Sequence, residues 1–376
     1  MTRVAVVGAG PAGLAVAAQL TDAGVPAVVL EQGSQVGASW RGRYDRLRLH
    51  TARRLSGLPG AAFPRRYGRW VPRDGVVSYL EDYAARNALD VRLETPVLRL
   101  ERSDGGWRLA TASGDIAADR VVIATGNSRR PFLPEWPGRD EYTGELIHAS
   151  DYRNPAPYRD KHVLVAGGGN SGAEIAVDLV EGRAASVRLS LRTPPQVFPR
   201  QALGIPAQAI GICVPHLPLP VADRLLSVLQ RVFVGDLSRF GMPKPWVRPY
   251  SDYLARDVIP ILDVGLIGLL RRGEVGIVTA IESFAGGAVI LADGTRATPD
   301  AVIAATGYRR ELEPLVGHLG VLDPSGRPLV RGADTHPAAP GLHFIGFDNP
   351  LGGSLRALGG QARAIARAAR PVALVR

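Results

Sequence analysis

Gly8, Gly10 and Gly13 stand at Gly-x-Gly-x-x-Gly spacing, directly after an apolar run (residues 3–7) and directly before a helix-like stretch (residues 14–23). Glycines so placed allow a tight turn and let a pyrophosphate approach backbone N–H groups at the positive end of the following helix. A lone match carries little weight, but here a strand before, a helix after and an acid beyond supply the mechanism. The acid is Glu31, which closes the next apolar run, residues 27–30. Its carboxylate accepts hydrogen bonds from ribose hydroxyls and repels a 2′-phosphate, so this turn suits FAD or NAD. A second turn, Gly167-Gly168-Gly169-Asn170-Ser171-Gly172, differs where it matters: the strand-like run after it, residues 186–191, ends in Arg192-Thr193 with no acid. A guanidinium there holds a 2′-phosphate through paired hydrogen bonds and selects NADPH, with Arg200 as a second cation. The competing reading of Arg192 is an exposed strand-end arginine in an arginine-rich chain. Two nucleotide folds in one chain imply hydride transfer between a nicotinamide and a flavin.

The elements that must carry these turns repeat. Residues 162–166 and the helix-like residues 173–181 around the second turn duplicate the arrangement around the first, and each copy is followed, over a hundred residues on, by an apolar strand ending in Ala-Thr-Gly: Ala124-Thr125-Gly126 and Ala305-Thr306-Gly307. Residues 107–112 and 289–293, next to Asp104-Gly105-Gly106 and Asp293-Gly294, read as antiparallel hairpin strands capping parallel sheets. Asn154-Pro155-Ala156-Pro157 reads as a linker at the domain junction. Residues 196–270, rich in proline and in apolar residues at helical spacing (221–233), read as an insertion shaping an entrance or pocket, with a surface for a partner or a membrane as the alternative. Near the carboxyl end, residues 341–347 read as a last strand and residues 354–369 as a helix whose amino terminus would favour a reduced, anionic flavin; the alternative is an ordinary docking helix. The expected fold class is therefore α/β, with two dinucleotide-binding (Rossmann-like) domains of three-layer ββα type and antiparallel caps.

With 376 residues, 46% of them hydrophobic and 21% charged, the chain is long enough for two cored domains and is not of disordered composition. The net charge of +10 is carried by arginine, since Lys161 and Lys244 are the only lysines, and its dispersal along the chain argues against nucleic acid. The single cysteine, Cys213, excludes an intrachain disulfide or Cys-x-x-Cys pair, and with it a dithiol reductase. The apolar start is broken by glycines and Pro11, so it is not read as a secretion signal, and no apolar run reaches the ~18 residues of a membrane span. A cytoplasmic enzyme, monomer or homodimer, is the expectation.

Between the two turns, Tyr142-x-Gly144-x-x-x-His148-x-x-x-Tyr152 resembles the aromatic-x-Gly-x-x-x-His-x-x-x-aromatic fingerprint of the class B flavin monooxygenases. The similarity extends over nearly the whole chain, through residues 44–50, 124–127, 167–172, 197–200, 261–265 and 305–308, and is nearest to the plant YUCCA-type branch. His50 supports that branch, because many flavin monooxygenases carry asparagine there. The resemblance implies that NADPH reduces FAD, that dioxygen adds to the reduced ring as a C4a-hydroperoxide, and that one oxygen atom passes to a small organic substrate. Such chemistry needs no triad or metal cluster. It further implies an FAD domain formed by residues 1–155 and 293–376, and an NADPH domain at 156–292.

On this reading cofactor contacts come from Gly8, Gly10, Pro11, Ala12, Gly13, Glu31, Gln32, Trp40, His50, Val97, Ala124, Thr125, Gly126 and Leu351. Others come from Gly167, Gly169, Asn170, Ser171, Gly172, Arg192, Arg200, Ala305, Thr306 and Gly307. His50, Asn170 and His148 are the candidate catalytic residues; packing, helix capping and a hinge are their respective alternatives. Candidate reactions are oxygenation of a soft nitrogen or sulfur, Baeyer–Villiger oxidation, and oxidative decarboxylation of an aromatic 2-oxo acid, with Arg53, Arg54 and Arg200 available for a substrate carboxylate. A flavin reductase or oxidase passing electrons to a partner or to oxygen, and a non-catalytic redox-sensing flavoprotein, are the competing functions.

Overall fold

Apolar runs without polar alternation belong in parallel strands covered on both faces, and residues 4–7 and 163–166 take that place in the computed structural model, which describes residues 2–370 of the chain. The described residues form two compact units, one of residues 2–42, 52–130 and 308–370, the other of residues 43–51 and 131–307.

The first unit opens with β1 (Thr2–Val7), α1 (Pro11–Asp22) and β2 (Ala27–Leu30), followed by α2 (Arg73–Arg86) and β3 (Val91–Arg92). A meander of β4 (Val97–Ser103), β5 (Gly106–Thr111) and β6 (Ile116–Ile123) completes this stretch. Strands β3, β2, β1 and β6 are parallel neighbours in that order, while β4 and β5 add on antiparallel to the early half of β6. Trp107 anchors the meander: it is fully buried, and its indole N–H donates to the Pro340 carbonyl at 3.2 Å.

In the second unit, β7 (Glu145–His148) precedes β8 (His162–Ala166), α3 (Asn170–Glu181) and β9 (Ser186–Leu191). The stretch after β9 holds β10 (Val197–Pro199), α4 (Leu219–Phe233), α5 (Pro249–Arg256) and β11 (Ile261–Asp263). Then come β12 (Val275–Thr279), the antiparallel trio β13 (Ile281–Ala285), β14 (Ala288–Leu291) and β15 (Arg296–Ala297), and β16 (Ala301–Ala304). The parallel sheet runs β12-β9-β8-β16-β7. Since β9 and β12 are neighbours, residues 192–274 are one long crossover, and the expected insertion at 196–270 lies wholly inside it. The expected linker at 154–157 and the expected boundary at 292/293 both lie within this unit, whose long segment runs from 131 to 307.

The chain then returns to the first unit with β17 (Leu342–Phe344), parallel to the late half of β6, and α6 (Ser354–Ala369). Helix α6 forms because Leu355, Leu358, Ala362, Ile365 and Ala369 recur on one face, and that face is buried, with α1 among its neighbours. Each unit has its own apolar core, one built on β1, β6 and β17, the other on β8, β9 and α3.

Candidate active site

In the first turn the three glycines do different work. Gly8 has φ +107°, and a Cβ there would lie 2.8 Å from the Ala124 carbonyl oxygen; a Cβ on Gly13 would lie 1.9 Å from the Gly8 carbonyl oxygen. Both are therefore packing glycines. A Cβ on Gly10 would meet nothing within 4 Å, so the space above it is open to a ligand. Gly10 begins α1 without a side-chain cap, and Pro11 occupies the first turn, leaving backbone N–H groups directed at that space. Glu31, 8% exposed, accepts from the Ala9 N–H at 2.6 Å and the Gly33 N–H at 2.8 Å, one on each oxygen. Each oxygen keeps a further lone pair for a hydroxyl. The Thr125 hydroxyl, in the Ala124-Thr125-Gly126 corner, is buried with no hydrogen-bond partner, a deficit a bound polar ligand would relieve. Open glycine, uncapped helix, acid and orphaned hydroxyl fit a dinucleotide such as FAD.

The second turn repeats this at atomic detail. A Cβ on Gly167 (φ +134°) would lie 2.2 Å from the Ala305 carbonyl oxygen, one on Gly172 would lie 2.1 Å from the Gly167 oxygen, and Gly169 has open space. Helix α3 also starts without a side-chain cap. Asn170 is used elsewhere: its amide donates to the Pro260 carbonyl at 3.0 Å and its oxygen accepts from the Leu262 N–H at 2.8 Å, bracing the helix start against β11. Arg192, at the end of β9, is exposed and makes no hydrogen bond or ion pair among the described residues. Arg200 is half-buried, and burial lowers its pKa; its charged neighbours include Glu174, Asp263, Arg46 and Arg48.

The fingerprint residues tie the edge of this sheet together. The Tyr142 hydroxyl donates to the Pro299 carbonyl, and burial raises its pKa to about 12. A Cβ on Gly144 would lie 2.9 Å from the Asp300 carbonyl oxygen, and the Tyr152 hydroxyl donates to Asp178 at 2.8 Å. His148 Nδ1 accepts the Ser150 N–H at 3.0 Å, so its Nε2–H donates to the Gly307 carbonyl at 2.9 Å. Burial lowers its pKa, which favours the neutral ring, and the two hydrogen bonds fix this tautomer. The Thr306 hydroxyl donates to the Phe132 carbonyl. The second Ala-Thr-Gly corner is thus held from two sides.

Glu174, on α3, is the residue the motifs missed. It is 3% exposed, accepts from the Tyr44 hydroxyl at 2.6 Å, and its other oxygen lies 3.1 Å from His50 Nε2. His50 Nδ1 is buried without a partner. Tyr44 also bonds Ser171, and burial followed by the Glu174 charge raises its pKa well above the ordinary phenol value. His50, expected in the flavin environment or as a packing residue, stands against α3, within the second unit. Of the remaining expected contacts, Gln32 is exposed, Trp40 and Leu351 are half-buried, and Val97 packs in the first core. Arg53 donates to the Gly68 and Phe63 carbonyls, bracing a loop, and Arg54 is exposed.

The profile of the pyridine nucleotide-disulphide oxidoreductase family matches residues 5–201. The chain is 34% identical over 353 residues to probable indole-3-pyruvate monooxygenase YUCCA9 of Arabidopsis thaliana, covering 91% of this chain and 83% of that one. Its fold is like that of a flavin-containing monooxygenase from Stenotrophomonas maltophilia (TM-score 0.74, 24% identity, 98% and 97% of the two chains). It is also like that of cyclohexanone monooxygenase (TM-score 0.71, 18% identity, 97% and 84%).

Proposed function

The chain belongs to the class B flavin-containing monooxygenases, a flavin-dependent enzyme family within the pyridine nucleotide-disulphide oxidoreductases, and from that premise we propose that it uses NADPH and dioxygen to oxygenate a small organic substrate. One observation carries the reading: both glycine turns pack two glycines against backbone and leave the middle one open, yet the first is followed by an acid and the second by an arginine. The first turn, with Glu31 and the Ala124-Thr125-Gly126 corner, takes FAD; the second, with Arg192 and the Ala305-Thr306-Gly307 corner, takes NADPH. Bound FAD, reduced by NADPH, supplies the activation of dioxygen.

The protein's own part is to position. Helices α1 and α3 direct N–H groups at the two pyrophosphates, and Arg192 holds the 2′-phosphate. His148, neutral, keeps the Gly307 corner in place. Glu174 holds His50 through Nε2 and leaves Nδ1 without a protein partner. Exclusion of water is what separates an oxygenase from a peroxide-releasing oxidase. Among substrates an aromatic 2-oxo acid is favoured, in keeping with the relative named for indole-3-pyruvate.

The test is to follow NADPH oxidation by the purified yellow protein with a 2-oxo acid, an amine, a thioether and a ketone in turn. Oxygenated or decarboxylated product forming mole for mole with NADPH oxidised is the expected outcome with at least one of them. Stoichiometric hydrogen peroxide with all four would assign a reductase or oxidase instead, and a flavin that NADPH fails to reduce would assign a sensing role.

A further inference from the structure

Fifteen large apolar side chains are exposed among the described residues, and twelve of them lie from Leu203 to Val258, inside the β9–β12 crossover. Four of these, Val221, Leu225, Val228 and Val232, are 51, 39, 52 and 67% exposed and follow one another on α4 at spacings of four, three and four. At about 100° per residue they form a single stripe. The helix is held down by its other side: Ala222 and Leu226 are buried, Asp223 accepts the Tyr250 and Ser251 N–H groups, and Gln230 donates to Gln196 and to the Val197 carbonyl. A surface helix ordinarily turns its apolar face inward; α4 turns one outward.

The stripe has neighbours of a particular kind. Gln196 also donates to the Val247 carbonyl, which ties to α4 the loop carrying Trp246, 79% exposed, and Val247, 47% exposed. Arg224 and Arg231 are exposed and lie roughly 60–90° around the helix from the stripe, on the same side as each other. The only acid on the helix, Asp223, is buried. Arg248 is exposed beside the tryptophan loop.

We propose that the α4 stripe and Trp246 form a docking face for an anionic lipid surface, with the apolar side chains at the boundary of headgroups and acyl chains and the arginines on lipid phosphates. Charge complementarity selects this occupant. The four-three-four spacing would also suit α4 pairing with a second copy, but that pairing brings Arg224 and Arg231 to like charges with no exposed acid on either helix. No helix among the described residues is long and apolar enough to cross a membrane, so the attachment is peripheral.

The experiment is co-sedimentation of the full chain with vesicles of phosphatidylcholine alone and of phosphatidylcholine with phosphatidylglycerol, at low and high salt. Binding to the anionic vesicles at low salt is expected, weakened by salt, with a blue shift of tryptophan emission that Trp246→Phe removes. The double variant Val228→Ser/Val232→Ser keeps the net charge and should bind roughly tenfold more weakly while retaining its flavin spectrum. Arg224→Gln/Arg231→Gln leaves the stripe intact and should lower the salt dependence. Wild-type protein that ignores both vesicle types overturns the proposal, as does a serine variant that binds undiminished, which would mark adsorption by overall charge. A wild-type dimer that the serine variant converts to monomer also overturns it, assigning the face to a second copy.

Discussion

Arg192 is the residue on which the proposed choice of NADPH over NADH turns. It is exposed at the end of β9, with no hydrogen-bond or ion-pair partner among the described residues, so its guanidinium is available for a 2′-phosphate. Charge-assisted hydrogen bonds contribute about 1.5–3 kcal/mol each. Arg192→Ala should therefore raise KM for NADPH by roughly 10- to 100-fold and leave KM for NADH nearly unchanged, as steady-state NAD(P)H oxidation will measure; equal effects on both would remove the arginine from the ribose site. Its place at the strand end was legible, because that follows from a turn, a helix and a strand counted along the chain; whether it contacts a 2′-phosphate is what the kinetics decide. Glu174 was not legible. It sits three residues beyond Ser171 in a run that reads as ordinary helix, and its meaning comes from Tyr44, 130 positions earlier. Local periodicity carries no record of so distant a hydrogen bond. Asn170 shows the opposite limit: its type and place invite a catalytic role, but Pro260 and Leu262 take up its amide.

At the scale of elements, the two strand–turn–helix units separate glycines packed against backbone from glycines with open space above them. Gly13→Ala sets a methyl 1.9 Å from the Gly8 carbonyl oxygen, an overpacking that typically costs about 1–3 kcal/mol or more; it should lower the melting temperature by several degrees in a thermal scan. Gly10→Ala adds its methyl to open space, so the protein should keep its circular dichroism yet purify with less bound FAD. Equal stability losses in the two variants would contradict this division. Elements of this kind were readable because apolar runs and glycines coincide: residues 27–30, 162–166, 186–191 and 354–369 are observed with those limits. The crossover after β9 was less so. Its prolines and apolar spacing announced helices, but nothing in a helical repeat tells which side of α4 meets the protein, and a pocket-lining segment was expected where the apolar stripe faces solvent.

For the molecule as a whole, duplication means two strand–turn–helix units with separate cores, the proposed seats of the two nucleotides. NADP⁺ added to the FAD-loaded protein should slow hydrogen exchange at residues 167–174 and 188–193 and leave residues 8–13 unaffected, since a ligand stabilises the region it binds. Protection of the first turn alone would reverse the assignment of the sites. The duplication was visible in the sequence as paired glycine turns and paired Ala-Thr-Gly corners; where each unit ends was not, because proline-rich residues 154–157 look like a linker yet pack within the second unit.

The short segment at 43–51 bears on how such a protein can be taken apart or reassembled. The chain passes between its units at four junctions, 42/43, 51/52, 130/131 and 307/308. A gene fragment cut at 130 and 307 would leave behind Tyr44 and His50, and the buried Glu174 carboxyl would lose both of these partners. Moving the second unit into another protein by design must therefore carry this nine-residue strap along with it.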